Sequence, residues 1–325
     1  MLIVNVNREP LPPAEESATL EFRTFSSYGA AYRSVRTHTA SEVVDAARNA
    51  DVILFTAARF DESVFSQLPN LKLMVRYGVG YDTVDLAAAR RHSVNVCNAP
   101  AYGSYDVAEH AFALLMSANR KIPQYDAAIR RGGWGGSADY PIYRLEGKTL
   151  GTIGFGRIAR NVARFAKGFG MRTVAYDPFL PPDLIRDGGS EPLSLDELYR
   201  QSDFISINAP LTDDTRHMIN ANAFRMMKPT AVLVNTARGA LVDEDALYNA
   251  LASRTIRAAG IDVYENYPKD AGNRFHKLDN VVFTPHVAWN SVESAEALHQ
   301  EVVDEDEEAH DPGGQQDPPP GGDPR

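Results

Sequence analysis

Thr149-Leu150-Gly151-Thr152-Ile153-Gly154-Phe155-Gly156-Arg157-Ile158-Ala159 is the stretch on which the fold turns. Residues 149–153 read as a strand and the residues after Gly156 open a helix, so the glycines stand at a strand-to-helix turn. The motif is G-x-G-x-x-A. Gly154 permits the tight turn, Gly156 lets the backbone approach a pyrophosphate, and Ala159 lets the helix sit close to the strand. Backbone N–H groups of Arg157 and Ile158 then point at phosphates from the helix N-terminus. A plain strand–helix turn also uses glycines for packing. What separates the two readings is Asp177, which ends the next strand 21 positions after Gly156 and can hold ribose hydroxyls. Pro178 follows, with no adjacent Arg to meet a 2′-phosphate, so a dinucleotide without that phosphate is expected.

Working outward, strand candidates lie at 149–153, 173–176, 204–207, 231–235, 257–261 and 281–284, with helices between them. Ser194 and Glu197 form a capping box for one of these helices. Six strands with short crossovers suit a doubly wound parallel sheet. Upstream, strands at 2–6, 51–55, 71–76 and 94–97 alternate with helical runs at 40–49 and 84–92, a second and smaller α/β unit. Between the blocks, residues 105–122 carry the strongest helical periodicity, through Val107, Ala111, Leu114, Leu115 and Ala118, and the Asp106/Glu109 spacing predicts a cap at its start.

The chain has 325 residues, room for two domains, and is 44% hydrophobic and 23% charged, so it can bury a sizeable core. Its net charge of −10 is uneven: residues 301–325 hold nine acids and one base, leaving about −2 for residues 1–300. The body therefore has no bias towards nucleic acid. Residues 311–325 contain five prolines and four glycines, and with the acids before them the segment 306–325 is expected to be a disordered acidic tail. Cys97 is the single cysteine, so no intramolecular disulfide is possible. No run approaches a membrane span and the N-terminus does not read as a signal peptide, so a cytoplasmic protein is expected. There is no His-Glu-x-x-His helix, Cys pair or P-loop lysine, and no metal is expected.

Three polar residues stand at or just beyond ends of later strands in the second block. Arg238 follows Val234-Asn235-Thr236-Ala237, Asp262 follows Ala258-Ala259-Gly260-Ile261, and His286 follows Phe283-Thr284-Pro285. Ligands bind at such strand ends. Arg can clamp a carboxylate with two hydrogen bonds, and His can pass a proton to a substrate oxygen near neutral pH. Asp262 is expected to hold the nicotinamide carboxamide or ribose.

These segments, with Arg76-Tyr77-Gly78-Val79-Gly80-Tyr81-Asp82 and Val107-Ala108-Glu109-His110, resemble the D-isomer-specific 2-hydroxyacid dehydrogenase family over about 51–296. Gly132-Gly133-Trp134, Pro141-Ile142, the stretch 144–149 and Ala288-Trp289 are similar to its C-terminal-binding-protein-like and phosphoglycerate-dehydrogenase-like branch. The resemblance implies two doubly wound parallel-sheet domains. A flavodoxin-like substrate domain would be 1–100 rejoined by 288–305, and a Rossmann NAD domain would be 101–287, whose first helix contributes to a homodimer. It implies NAD as cofactor and a small 2-hydroxy or 2-oxo acid as substrate. Tyr77, Gly78, Val79 and Gly80 would form the loop that binds the substrate carboxylate, with Trp289 lining a pocket for an apolar tail or packing between domains. Arg238 would orient the substrate and His286 would be the acid/base. Gly154, Gly156, Arg157, Ile158, Asp177, Ala209, Pro210, Thr215, Thr236, Ala237, Asp262 and His286 would contact NAD.

The sequence departs from the family twice. The family pairs its histidine with a Glu five residues after the strand-end Asp, and here that position is Tyr267, with Glu265 two places earlier. A neutral Tyr does not raise the imidazole pKa as a carboxylate does, so His286 is expected to be less basic and reduction weaker at neutral pH. The second departure is the tail, where the helical pattern of 291–304 runs into acids, Pro and Gly instead of a final packing segment. Both leave room for an NAD(H)-sensing corepressor-like protein or a catalytically weak paralogue beside the leading reading, an NAD-dependent oxidoreductase.

Overall fold

The computed structural model describes residues 1–7, 10–134, 141–265 and 273–310, the last five by their backbone alone. The chain forms two compact units, one of Met1–Gly103 rejoined by the segment from Ser291, the other of Ser104–Asn290.

The first unit is a parallel sheet of β1 (Leu2–Asn5), β2 (Ala31–Ser34), β3 (Val52–Phe55), β4 (Leu73–Arg76) and β5 (Asn95–Asn98), in the order β2-β1-β3-β4-β5. Its strands are short and apolar because helices cover them: every residue of β3 is buried. Thr39 and Glu42 close a capping box over the helix Ala40–Ala47, and Asp85 caps Leu86–Arg91. The last described helix, Val292–His310, packs on β4 and on the helix Leu20–Ser27, burying Leu298, Val302 and Val303.

The second unit holds β6 (Thr149–Ile153), β7 (Arg172–Tyr176), β8 (Glu191–Pro192), β9 (Phe204–Ile207), β10 (Val232–Asn235), β11 (Ala258–Ile261) and β12 (Val281–Phe283). All are parallel, in the order β12-β11-β10-β9-β6-β7-β8. From β6 the chain first builds towards β7 and β8, then crosses to β9 on the other side. That reversal opens a crevice at the strand C-terminal ends. The register puts Tyr176, Ile153, Ile207, Asn235, Ile261 and Phe283 in one row across the sheet. Whatever follows each of these residues therefore emerges along a single edge. The long helix Ser104–Arg120 covers one face, packing on β10, β11 and the helix Arg157–Gly168.

The structure corrects three expectations. β2 and β8 are strands that the sequence reading passed over. Both are edge strands, half-exposed, and lack the apolar run that marks a buried parallel strand. Asp106 does not cap its helix, because the helix already begins at Ser104 and Asp106 lies in its first turn. The final helix continues to His310, five residues into the segment expected to be disordered. Acidic residues propagate a helix well enough, and the first breaker is Pro312. Residues 311–325, the rest of that expected tail, lie outside the described residues.

Candidate active site

The residues just past the aligned row build the site, and the turn after β6 comes first. Gly154 has φ +85°, and a Cβ there would stand 2.8 Å from the Asn208 carbonyl oxygen, so both dihedral and space require glycine. Gly156 differs. A Cβ at Gly156 would meet no protein atom within 4 Å, so the fold does not demand this glycine and open space lies over the helix N-terminus. That is what close approach of a pyrophosphate needs, and the N–H groups of Arg157 and Ile158 sit in the first turn behind it.

Asp177, just past β7, ties the loop together. Its Oδ2 accepts the Phe155 N–H at 2.9 Å and its Oδ1 accepts the Phe179 N–H at 3.0 Å. The residue also borders a cavity of about 300 Å³ walled by Tyr176, Leu180, Pro192 and Leu193. Apolar walls beside a carboxylate fit an adenosine, base against the walls and ribose against Asp177. These observations agree with the dinucleotide predicted from the sequence. Sequence reading missed that Arg186 also lines this cavity, its guanidinium bonded to Asp183 at 2.6 Å. Arg186 lies nine residues from Asp177, too far along the chain for an adjacent-residue argument to find it.

Beyond β9 come Ala209 and Pro210, with Thr215 folding the loop: its hydroxyl donates to the Pro210 carbonyl at 2.7 Å and accepts the Thr212 N–H at 2.8 Å. Beyond β10 come Thr236, Ala237 and Arg238. Asn235 locks this turn, accepting the Ala237 N–H and donating to the Arg238 carbonyl. Gly239 then packs directly on the Tyr264–Glu265 backbone, where a Cβ has no room. The Arg238 side chain is held in part by its Nη1 donating to the Ala237 carbonyl at 2.8 Å.

His286 emerges beyond β12 with φ +58°, a left-handed conformation that is uncommon for non-glycine residues. Asp262 anchors the loop around it. The carbonyl of Asp262 accepts the His286 N–H at 2.8 Å. Its carboxylate, fully buried, accepts the Thr284 hydroxyl at 2.5 Å and the N–H groups of Val287 and Ala288 at 3.0 and 3.1 Å. His110 completes the cluster, 3.0 Å from Thr284 Oγ1. A buried carboxylate that takes three donors from 284–288 clamps the loop carrying His286, a role added to the nicotinamide contact expected from the sequence. No local pattern points to the His110 bond, which spans 174 positions.

Glu265 also has a clear assignment. Its carboxylate meets His217 Nε2 at 2.8 Å and Arg216 at 3.3 Å, on the loop after β9. The carboxylate two places before Tyr267 is thus committed to a different histidine. Tyr267 itself lies outside the described residues. Trp289 is half-buried at the end of the 284–290 loop.

In the first unit, Tyr77, Gly78, Val79 and Gly80 form the turn after β4. Tyr77 is buried, while Val79 is 41% exposed and its carbonyl accepts Asn98 Nδ2 at 2.6 Å. Among the described residues the Val79 and Gly80 N–H groups donate to no protein acceptor.

The family described as D-isomer specific 2-hydroxyacid dehydrogenase, NAD binding domain, matches residues 112–288. The chain is 42% identical over 248 residues to a glyoxylate reductase of Korarchaeum cryptofilum, covering 75% of this chain and 74% of that one. It is 39% identical over 275 residues to a glycerate dehydrogenase of Methylorubrum extorquens, covering 82% and 85%. Among solved structures, an acyclic imino acid reductase in complex with NADPH and D-Arg superposes with a TM-score of 0.85 at 29% identity, covering 95% and 97% of the two chains. A D-lactate dehydrogenase from Aquifex aeolicus, complexed with NAD and lactic acid, gives 0.81 at 28%, covering 94% of each.

Proposed function

The chain belongs to the D-isomer-specific 2-hydroxyacid dehydrogenase family, and we propose that it interconverts a small D-2-hydroxy acid and its 2-oxo acid with NAD as cofactor. The observation that carries this reading is the shared strand-end edge: the 154–159 cradle, Arg238 and the clamped His286 all follow residues of one register row. NAD, when bound, supplies or accepts the hydride at C2. Gly154, Gly156, Arg157 and Ile158 hold its phosphates, Asp177 its ribose, and Ala209, Pro210, Thr215, Thr236, Ala237, Asp262 and His286 border the rest of it.

The first unit is the substrate domain in this reading and the second is the NAD domain. The Val79 and Gly80 amides bind the substrate carboxylate. Arg238 orients the 2-oxo acid, and its fixed positive charge stabilises the developing alkoxide. His286 gives a proton to that oxygen in reduction and takes one in oxidation. Its anchored loop keeps the ring oriented before substrate arrives. Trp289 borders the substrate side chain.

The Asp177 carboxylate repels a 2′-phosphate, which supports NAD over NADP. Exposed Tyr105, Ile122, Ile129 and Phe169 on and beside the helix Ser104–Arg120 support a homodimer through that face. A cytoplasmic location is part of the same reading. No described helix is long and apolar enough to cross a membrane.

An NAD(H) sensor would need only the cradle; Arg238 and His286 at the same edge favour turnover. Replacing His286 with Gln tests the assignment. NADH binding should persist while kcat falls by about 10²-fold or more, the usual worth of a general acid. Unchanged kcat would remove His286 from the chemistry.

A further inference from the structure

Among the described residues of the first unit Glu21 is the most deeply buried carboxylate, with a side chain only 2% exposed, and nothing in the proposed chemistry uses it. Its Oε1 accepts the Tyr77 hydroxyl at 2.8 Å and meets His299 Nδ1 at 2.5 Å. The Tyr77 and His299 rings stand edge to face, centroids 5.5 Å apart. These three residues come from the helix Leu20–Ser27, the turn after β4 and the helix Val292–His310. A fold seeking stability alone fills such a place better with apolar side chains, because burying an ion pair costs solvation that the pairing scarcely returns. Tyr77 opens the turn whose next residues present the Val79 and Gly80 amides.

We propose that Glu21 is a positioning residue for the substrate: through Tyr77 it fixes the direction of the Val79 and Gly80 N–H groups, and through His299 it couples that direction to the C-terminal helix. This rests on the reading that the Val79 and Gly80 amides bind the substrate carboxylate. The turn is held at both ends. On the upstream side the Tyr77 N–H donates to the Phe55 carbonyl at 2.8 Å while its hydroxyl is held by Glu21. On the downstream side Asn98 Nδ2 donates to the Val79 carbonyl, and the Ala99 N–H donates to the Gly78 carbonyl at 3.3 Å. The C-terminal helix reaches the downstream side as well, Glu301 Oε2 accepting the Ala101 N–H at 3.1 Å. Swinging the Tyr77 ring out would leave the Glu21 carboxylate buried with one partner fewer, so the ring stays and the amides that follow it keep their aim.

The test compares the full-length protein with its Glu21→Gln and Tyr77→Phe variants. Three readouts are needed: hydrogen exchange at the hydrogen-bonded amides of the turn, Tyr77, Gly78 and Ala99, NADH affinity by fluorescence, and steady-state kinetics with glyoxylate. The expected result is exchange at those amides faster by about tenfold, with KM for glyoxylate raised by about tenfold, the scale of one lost hydrogen bond. kcat should stay within about twofold and NADH affinity should not change, because the substitution removes aim rather than chemistry. The double variant should be no worse than the worse single variant, since both break one chain of contacts. Unchanged exchange in folded Glu21→Gln and Tyr77→Phe overturns the proposal, as does a parallel fall of kcat and NADH affinity. Faster exchange with an unchanged KM instead overturns the assignment of the turn as the carboxylate site. Should Glu21→Gln fail to fold, Tyr77→Phe and His299→Gln carry the same readouts.

Discussion

Asp262 Oδ1 accepts the Val287 N–H at 3.0 Å, so a fully buried carboxylate grips the residue immediately after His286. Together with the Thr284 hydroxyl, the Ala288 N–H and the His286 N–H on the Asp262 carbonyl, this contact ties down the loop in which the histidine adopts its left-handed conformation. The proposed proton carrier is therefore oriented by the strand beside its own.

Asp262→Asn measures that clamp. The amide keeps the size of the carboxylate but turns one acceptor into a donor facing N–H and O–H groups. Leaving such buried partners unsatisfied costs about 2–3 kcal/mol. For a unit of this size that is a fall in Tm of roughly 5–10 °C by calorimetry. kcat should fall by about 10²-fold with NADH binding retained, the usual price of a misplaced catalytic group. A variant as stable and active as the parent would show that the clamp does not orient His286.

Gly154→Ala tests the cradle. The added methyl meets the Asn208 carbonyl at 2.8 Å on a backbone with φ +85°. The turn must shift, and NADH affinity should weaken by at least about tenfold, corresponding to ~1.4 kcal/mol. Fluorescence titration reads this directly. Gly156→Ala makes the informative comparison, because its methyl meets no protein atom and can disturb only a ligand. It should leave Tm unchanged and still weaken NADH. Full affinity in Gly156→Ala would place the phosphates elsewhere.

Tyr267→Glu places a carboxylate where the family resemblance implies one. An anion near an imidazole favours the protonated form and raises its pKa. Reduction consumes that proton, so the basic limb of kcat/KM for a 2-oxo acid should move to higher pH and activity at neutral pH should rise. Glu265 is engaged by His217 and Arg216, so the parent has no obvious substitute in its place. A pH profile that stays put in the folded variant would refute the idea.

Glu21 gives a stability prediction with a definite sign. Burial pushes its carboxyl up, but the hydrogen bond and charge of His299, with the Tyr77 hydroxyl, outweigh that and hold it at about 2. A carboxyl depressed in the folded state stabilises it above the unfolded value and stops doing so as pH falls through the folded one. The depression from 4.5 to about 2 is worth ~3 kcal/mol, lost between roughly pH 5 and pH 2. Urea midpoints measured across that window should fall for the parent and fall less for Glu21→Gln. Parallel curves would contradict the assignment.

What the sequence discloses here is what local chemistry encodes. The turn at 154–159 reads correctly because its glycines, strand and helix are contiguous, and β6 and β9 have the expected ends for the same reason. Arg238, Asp262 and His286 are legible as strand-end residues because strands of a parallel sheet share a register. Their partners are not legible. The His110–Thr284, Glu265–His217 and Glu21–His299 contacts join residues 174, 48 and 278 positions apart, and no periodicity records such pairings. The clamp at Asp262 is hidden for the same reason: the donors its carboxylate takes belong to a loop 22 to 26 residues on. β2 and β8 escaped notice because an edge strand need not carry a buried pattern.

The central claim is NAD-dependent turnover of a 2-oxo acid. It is tested most directly by following NADH oxidation with glyoxylate, hydroxypyruvate and 4-methylthio-2-oxobutyrate from about pH 5 to 9, the span over which a histidine acid titrates. Turnover of at least one of these acids is expected, strongest on the acidic side, where the proton that reduction consumes is most available. NADH bound tightly with no turnover of any of these acids at any pH would contradict it.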